Sequence, residues 1–191
     1  MREMPDEPAV VALVDRAVSR RDQAAFAELY DRYLPPVYRY LYFRVGHRAE
    51  AEDLAEQVFL KAWQAIQRFQ WRGKPFLAWL YQVAHNVLVD HLRRRRPTTS
   101  MDGVAAVQSA VDEHASTDLS RVLDADVLSG AVRQLTEDQQ QVILLHFVGD
   151  LRTAQIAQIM NKEEGAIRAL QLRALVGLRR VLEGQGERGS A

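Results

Sequence analysis

Apolar residues recur at three- and four-residue steps through most of this chain, which is the spacing of amphipathic helices. The clearest example is residues 76–97, which end in four arginines and a proline, FLAWLYQVAHNVLVDHLRRRRP. Helical spacing also covers residues 9–19, 23–46 and 49–69, and most of the chain after Gly130. Because no stretch shows the strict alternation of a β-strand, the pattern predicts an all-α protein.

Local signals mark where several of these helices begin and end. Asp22 is a good N-cap for the second helix, and Thr136 with Gln139 three residues later matches a capping box. We expect Pro35 and Pro36 to kink the second helix or to break it briefly, because proline removes a backbone donor. Gly149 is expected to end the helix that follows Thr136.

Composition divides the helices into two small domains. Residues 98–128 are rich in small and acidic residues with patchy periodicity, which predicts an acidic flexible linker. We therefore expect an N-terminal helical bundle over residues 1–97 and a C-terminal domain over residues 129–183. Residues 184–191 are expected to form a disordered tail.

The C-terminal domain has the spacing of a helix-turn-helix. Residues 152–160 predict a short helix, residues 161–162 a tight turn and residues 164–182 a long helix. Asn161 suits the turn because asparagine tolerates the left-handed conformation. Apolar residues that would join the two helices are Ile156, Ala157, Met160, Ile167 and Leu170. The same residues also fit an ordinary helical hairpin.

Charge is segregated along a chain whose formal net charge is zero. Residues 98–128 hold six acidic residues and one arginine, a net charge of −5, and residues 151–183 hold six basic residues and three acidic ones, a net charge of +3. The protein as a whole is therefore not a uniformly basic nucleic-acid binder. A net-negative middle beside arginine-rich helices indicates local binding surfaces instead.

The sequence lacks the residues and motifs that several kinds of catalytic and metal site require. There is no cysteine, and no phosphate-binding glycine loop, HExxH or G-x-S-x-G motif occurs. His85 and His91 lie six residues apart on one helix, which is too far round for two ligands of one metal. We therefore predict a protein that is not an enzyme, with no catalytic residue, metal site or cofactor. The lack of a long apolar run and of a signal peptide predicts a soluble cytoplasmic protein without membrane insertion.

Three surfaces remain as candidates for binding. The acidic helix around Asp53 is either an ordinary surface helix or a docking surface for a basic partner. The loop QWRGKP holds Trp71, which either stacks on an unpaired base or folds back onto the core. The four arginines at 93–96 either seek phosphate or form the solvated end of a core helix.

The order of these segments resembles the bacterial sigma factors of the sigma-70 family, in the small extracytoplasmic-function form. Residues 26–46, AEDLAEQVFLKAW at 51–63 and residues 76–97 resemble the second conserved region, and LTEDQQQVILLHFVGDLRTAQIAQIMNKEEGAIRALQLRALVGLRRVL at 135–182 resembles the fourth. The resemblance implies that core RNA polymerase and promoter DNA are partners, and that the protein directs promoter recognition, melting and transcription initiation. Because family members are often held by an anti-sigma factor, it also makes such a partner a hypothesis.

Residue by residue, the resemblance implies three sets of contacts. The clamp helices of polymerase would be bound by Asp53, Leu54, Glu56, Gln57 and Phe59. The minus-ten element would be bound by Phe69, Gln70, Trp71, Arg72, Lys74, His85, Asn86, Asp90, Arg93, Arg94, Arg95 and Arg96. The minus-thirty-five element would be bound by Lys162, Glu163, Glu164, Arg168, Gln171 and Arg173.

Two other functions compete with this interpretation. A free-standing helix-turn-helix regulator would bind duplex DNA, as a dimer, without polymerase. It would need neither the acidic helix nor the QWRGKP loop. An all-helical hydrolase is the third alternative, and the missing acid, base and metal clusters count against it.

Overall fold

The computed structural model describes residues 8–71, 75–95 and 119–188, and side chains over 8–71, 75–94 and 125–184. Each regular element in these ranges is helical, as the periodicity predicts. The α-helices are α1 (Pro8–Arg20), α2 (Gln23–Val45), α3 (Arg48–Ala65), α4 (Phe76–Arg95), α5 (Leu119–Arg133), α6 (Glu137–Phe147), α7 (Thr153–Met160) and α8 (Glu164–Arg188), with one turn of 3-10 helix, Ile66–Arg68, after α3.

The caps predicted at Asp22, Thr136 and Asn161 are present, whereas α6 ends at Phe147 with Val148 and not Gly149 as its C-cap. Asp22 precedes α2, and its side chain accepts a hydrogen bond from the backbone N–H of Ala25. Thr136 and Gln139 form a reciprocal capping box at the start of α6. Asn161 ends α7 in the left-handed conformation, with φ 51° and ψ 49°. These signals are local, so the sequence is sufficient to place them.

Helix α2 runs without a break through Pro35 and Pro36, so the expected brief break is absent, and the alternative of a kink stays a prediction. Tyr33 and Val37 flank the proline pair and both are buried in the core. Packing therefore holds the helix together despite the lost backbone donors.

Helices also extend into two segments that the sequence assigned otherwise. Helix α5 begins at Leu119, inside the predicted linker of residues 98–128, and α8 continues to Arg188, inside the predicted tail. Residues 96–118 lie outside the described ranges. Within α5, Asp126 receives a hydrogen bond from the Tyr42 hydroxyl of α2. Burial and this contact raise the pKa of Tyr42 to about 12, so the hydroxyl keeps its proton and remains a donor at neutral pH.

The buried side chains of the N-terminal and C-terminal helices form one continuous apolar cluster. Helices α5 and α6 pack on α2, and α7 packs on α4. Gly46 shows how close this approach is. It caps α2 at a positive φ of 79°, and a Cβ there would lie 1.2 Å from Arg133 Nη1. A side chain at position 46 would therefore displace Arg133 of α5.

Candidate functional site

The acidic helix α3 exposes its charges and buries its apolar residues. Asp53, Glu56 and Gln57 are exposed, whereas Leu54 is 1% and Phe59 3% exposed. The direct contacts expected of Leu54 and Phe59 stay predictions, and Phe59 lines the groove described in the next paragraph. These side chains hold α3 on α2, and the Phe59 ring lies 4.7 Å from that of Tyr30.

An apolar groove of about 490 Å³ runs between α2 and α3, beside these exposed acids. Leu60 projects at its edge with 58% of its surface exposed. The groove is lined by Gln23, Phe26, Ala27, Tyr30, Asp31, Glu56, Phe59, Leu60 and Trp63. It combines an apolar floor with two carboxylates, which suits an amphipathic basic helix of a partner protein. This groove was not predicted from the sequence. Its signal was Leu60, an apolar residue lying off the buried stripe of α3.

The loop before α4 is built on an aromatic cluster. The Phe69 ring lies 5.0 Å from Trp71, 5.4 Å from Phe76 and 5.3 Å from Trp79. Phe69 is 8% exposed and supports the loop from within this cluster, and its expected contact with DNA stays a prediction. Gln70 is exposed. Arg72 and Lys74 lie outside the described residues.

Trp71 is neither folded back onto the core nor completely free to stack on a base. Its side chain is 40% exposed, so it is not folded into the core. Its indole Nε1 donates a hydrogen bond to Asp15 Oδ1 of α1 at 2.9 Å. The indole is therefore a partly exposed surface group that a hydrogen bond holds in place.

Helix α4 presents its polar residues in two different environments. Asn86 is exposed, as are Arg93 and Arg94 near the end of the helix. Asp90 accepts a hydrogen bond from Arg93 at 3.0 Å and lies 3.8 Å from Lys61, so it moderates the positive charge there. The side chains of Arg95 and Arg96 lie outside the described residues.

His85, in contrast, is half-buried, and its Nδ1 makes no hydrogen bond within the described residues. Burial and the nearby Arg44 of α2 lower the pKa of His85, while Glu137 and Asp138 of α6 oppose the shift. His85 is thus partly covered by its neighbours, whereas Asn86 is exposed.

A pH dependence follows from the lowered pKa of His85. The folded state favours the neutral imidazole, so His85 contributes its full stability above the ordinary pKa of 6.5. That contribution is lost as the pH falls below 6.5 through the folded-state pKa. We expect His85→Gln to reduce the difference in urea-unfolding free energy between pH 7.5 and pH 5.5. Equal differences for the two proteins would show that His85 is not responsible.

The helix-turn-helix is formed by α7 and α8. Ile156 and Ala157 of α7 pack with Ile167 and Leu170 of α8, and all four are buried. The exposed candidates at the start of α8 and just before it are Lys162, Glu163, Glu164 and Arg168. This is the end of a recognition helix that contacts base edges in known complexes.

Charge pairs organise these exposed residues. Lys162 Nζ lies 3.1 Å from Asp138 of α6, and Arg168 donates to Glu164 one turn earlier at 3.0 Å. Both pairs are exposed, so their net stabilisation is small and either cation can exchange its carboxylate for a phosphate.

Gln171 and Arg173 do not join this group fully. Gln171 is half-buried and its Nε2 has no partner within the described residues. Arg173 lies five residues after Arg168, about 140° around the helix. It lines a shallow groove between α8 and the α5–α6 junction, together with Leu135 and Val176. The structure therefore separates Arg173 from Arg168, although the sequence grouped them.

An apolar strip also runs along α8. Leu172 is 65% exposed, Leu175 44% and Val176 53%. DNA offers few apolar partners apart from thymine methyl groups, so this strip favours contact with a protein. This strip was not predicted from the sequence. The available signal was that its three residues do not share the spacing of the buried residues Ile167, Leu170 and Ala174.

Comparison with known proteins identifies the chain. The family model for sigma-70 region 2 matches residues 29–98, and that for sigma-70 region 4 matches residues 125–176. The ECF RNA polymerase sigma factor BldN of Streptomyces coelicolor is 38% identical over 182 residues, which cover 93% of this chain and 67% of BldN. The chain belongs to the ECF sigma factors of the sigma-70 family. It therefore directs promoter-specific transcription initiation by RNA polymerase.

Two further similarities extend over nearly the whole length of the matched proteins. The RNA polymerase sigma-H factor of Pseudomonas aeruginosa is 30% identical over 181 residues, covering 90% of this chain and 92% of that protein. The structure of CnrH in complex with the cytosolic domain of CnrY matches with a TM-score of 0.69 and 21% identity, covering 92% and 98% of the two chains. The latter similarity concerns the helical fold.

Two features of the described residues bear on other roles. None of the helices there combines the length and hydropathy needed to cross a membrane. No group of three or more histidine, cysteine, aspartate or glutamate residues there is arranged to hold a metal ion.

Proposed function

We propose that this sigma factor binds its partners through three surfaces. Two lie on the N-terminal unit, helices α1–α4, and one lies on the C-terminal unit, helices α5–α8. The groove between α2 and α3 with the acids of α3 binds core RNA polymerase. Trp71 and the exposed polar residues of α4 bind the minus-ten element, and the start of α8 binds the minus-thirty-five element. We propose these two units as the domains predicted from the sequence, residues 1–97 and 129–183.

The observation that carries this proposal is the pairing of an acid-rimmed apolar groove with a helix-turn-helix in one chain. A free-standing DNA-binding regulator has no need of the groove or of an exposed tryptophan on the opposite unit. None of the three surfaces requires a catalytic group, so we propose a binding factor and not an enzyme. Its action would take place with RNA polymerase in the cytoplasm.

Polymerase docking would use the groove by accepting an amphipathic helix. Leu60, Trp63 and the rings of Phe26 and Tyr30 would contact its apolar side. The groove carboxylates Asp31 and Glu56, together with the exposed Asp53 of α3, would meet its basic side. Acids at the rim also raise the association rate with a basic partner, because they steer the encounter.

Promoter opening would use Trp71 as a stacking face. A base that leaves the duplex loses its neighbours, and an aromatic side chain replaces part of that interaction, worth about 1–3 kcal/mol. Asn86 offers donors and an acceptor for a base edge, and the exposed Arg93 and Arg94 neutralise phosphates.

We also propose an anti-sigma factor as a partner. The groove and the apolar strip of α8 expose apolar surface to water when polymerase is absent, and exposed apolar surface of this kind is typical of protein interaction sites. An inhibitor that lays amphipathic helices on both surfaces would prevent polymerase binding.

The test is transcription with core RNA polymerase from a promoter library of genomic fragments. The proposal predicts defined start sites that depend on the added chain. If the chain bound duplex DNA as a dimer and did not change polymerase output, the free-standing regulator would be the better assignment.

We expect Trp71→Ala to impair promoter opening more than closed-complex formation. The lost stacking of about 1–3 kcal/mol applies only once a base has left the duplex. Permanganate reactivity of melted thymines measures opening, and gel-shift titration below the melting temperature of the promoter measures the closed complex. Equal reactivity for the variant and the unmodified chain would refute the stacking role.

A further inference from the structure

The hydrogen bond between α1 and Trp71 connects the promoter-facing loop to a helix outside both matched family regions. Trp71 Nε1 donates to Asp15 Oδ1 at 2.9 Å, and the Phe69 ring supports the indole edge-on at 5.0 Å. The bond uses the edge of the indole and leaves a large part of its surface exposed. Helix α1, Pro8–Arg20, precedes the region 2 match, which begins at residue 29.

Helix α1 is a fixed support for this contact. Val10, Val14 and Ala17 are each no more than 1% exposed and pack into the common core. At its end, Arg16 donates to the Asp22 carboxylate at 2.9 Å, and Asp22 also caps α2. The backbone N–H of Ala25 and the Arg16 guanidinium lower the pKa of Asp22, so this joint stays charged at neutral pH. Asp15 therefore has a defined position relative to α2 and the loop.

An acid at this position works against DNA affinity unless it has another role. If Trp71 stacks on a promoter base, the carboxylate bonded to its indole comes near DNA and repels phosphates, because both are negative. Fixing the indole offers a compensating gain. A free tryptophan side chain loses rotamer freedom when it stacks on a base, whereas a held one has lost it beforehand.

We propose that Asp15 is a positioning residue for promoter opening: its carboxylate holds the Trp71 indole in the orientation that receives an unpaired base. The inference rests on the proposed stacking role of Trp71. It assigns to α1 a part in minus-ten recognition that acts through Trp71 and requires no contact of Asp15 with DNA.

Three substitutions in the full-length chain separate the hydrogen bond from the charge. Asp15→Asn removes the charge and keeps an acceptor oxygen. Asp15→Leu has a similar size and no acceptor. Trp71→Phe keeps an aromatic face and removes the donor. Each variant is assembled with core polymerase and compared for closed-complex affinity and for permanganate reactivity of the melted promoter.

The proposal predicts that Asp15→Leu lowers opening by about three- to tenfold, which corresponds to the loss of one ordinary hydrogen bond. Asp15→Asn is expected to restore most of that loss, and closed-complex affinity is expected to change less than opening in both. In a Trp71→Phe background, Asp15→Leu should have no further effect. The indole N–H resonance of Trp71, followed by NMR in the free protein, should move in Asp15→Leu and return towards its position in Asp15→Asn.

Other results would overturn the inference. If Asp15→Asn and Asp15→Leu both strengthened promoter binding equally, Asp15 would act only as a repelling charge. Normal opening with Asp15→Leu, alongside defective opening with Trp71→Ala, would reject the positioning role and leave the stacking role intact. Normal opening with Trp71→Ala would reject both.

Discussion

Leu60→Arg is expected to weaken binding of the chain to core RNA polymerase by about 2–4 kcal/mol, the range of an interface hot spot. Leu60 is 58% exposed at the edge of the groove between α2 and α3, so the change leaves the core intact. An arginine there places a charge against the apolar side of the docked helix and repels its basic side. Fluorescence titration of labelled chain with core polymerase measures the affinity.

Val127→Arg is the matched control for this experiment. Val127 is 51% exposed on α5 and does not line the groove. It introduces the same charge on an equally accessible apolar residue, so its affinity for polymerase should stay within about 0.5 kcal/mol of the unmodified chain. Equal losses for the two variants would mean that added charge matters and the groove does not.

Much of the fold follows from local information in the sequence. The apolar spacing locates the helices, and Asp22, Thr136 and Asn161 specify where three of the connections lie, because each side chain interacts with backbone a few residues away. The prolines of α2 are an exception. Their effect depended on Tyr33 and Val37, whose burial is decided by the other helices.

The candidate site was less predictable because its surfaces need more than one helix. The groove joins Phe26 and Tyr30 of α2 to Leu60 and Trp63 of α3, residues about thirty positions apart. The family resemblance assigned Phe59 to the partner surface, and packing against α2 decides that its ring lies in the wall of the groove with 3% of its surface exposed. Similarly, His85 and Asn86 are neighbours in sequence, but His85 is partly buried near Arg44 of α2 whereas Asn86 is exposed, and this difference depends on how the helices pack.

Phe76→Ala is expected to have the largest effect on stability, lowering the unfolding free energy of the N-terminal helices by about 3–5 kcal/mol. Phe76 is fully buried at the first position of α4, and its ring lies 5.7 Å from Tyr33, 5.4 Å from Phe69 and 5.3 Å from Trp79. Truncation removes the transfer free energy of the ring and leaves a cavity beneath Phe69. Promoter opening should fall as well, because Phe69 supports Trp71.

Urea unfolding followed by tryptophan fluorescence measures this loss in the N-terminal helices. The chain has three tryptophans, Trp63, Trp71 and Trp79, and all precede α5. Phe147→Ala is the control, since Phe147 is 62% exposed at the end of α6 and its truncation should change the unfolding free energy by no more than about 0.5 kcal/mol. A loss below about 1 kcal/mol for Phe76→Ala would contradict the central place given to this ring. A full loss with normal opening at low temperature would show instead that Phe76 stabilises the helices without setting the orientation of Trp71.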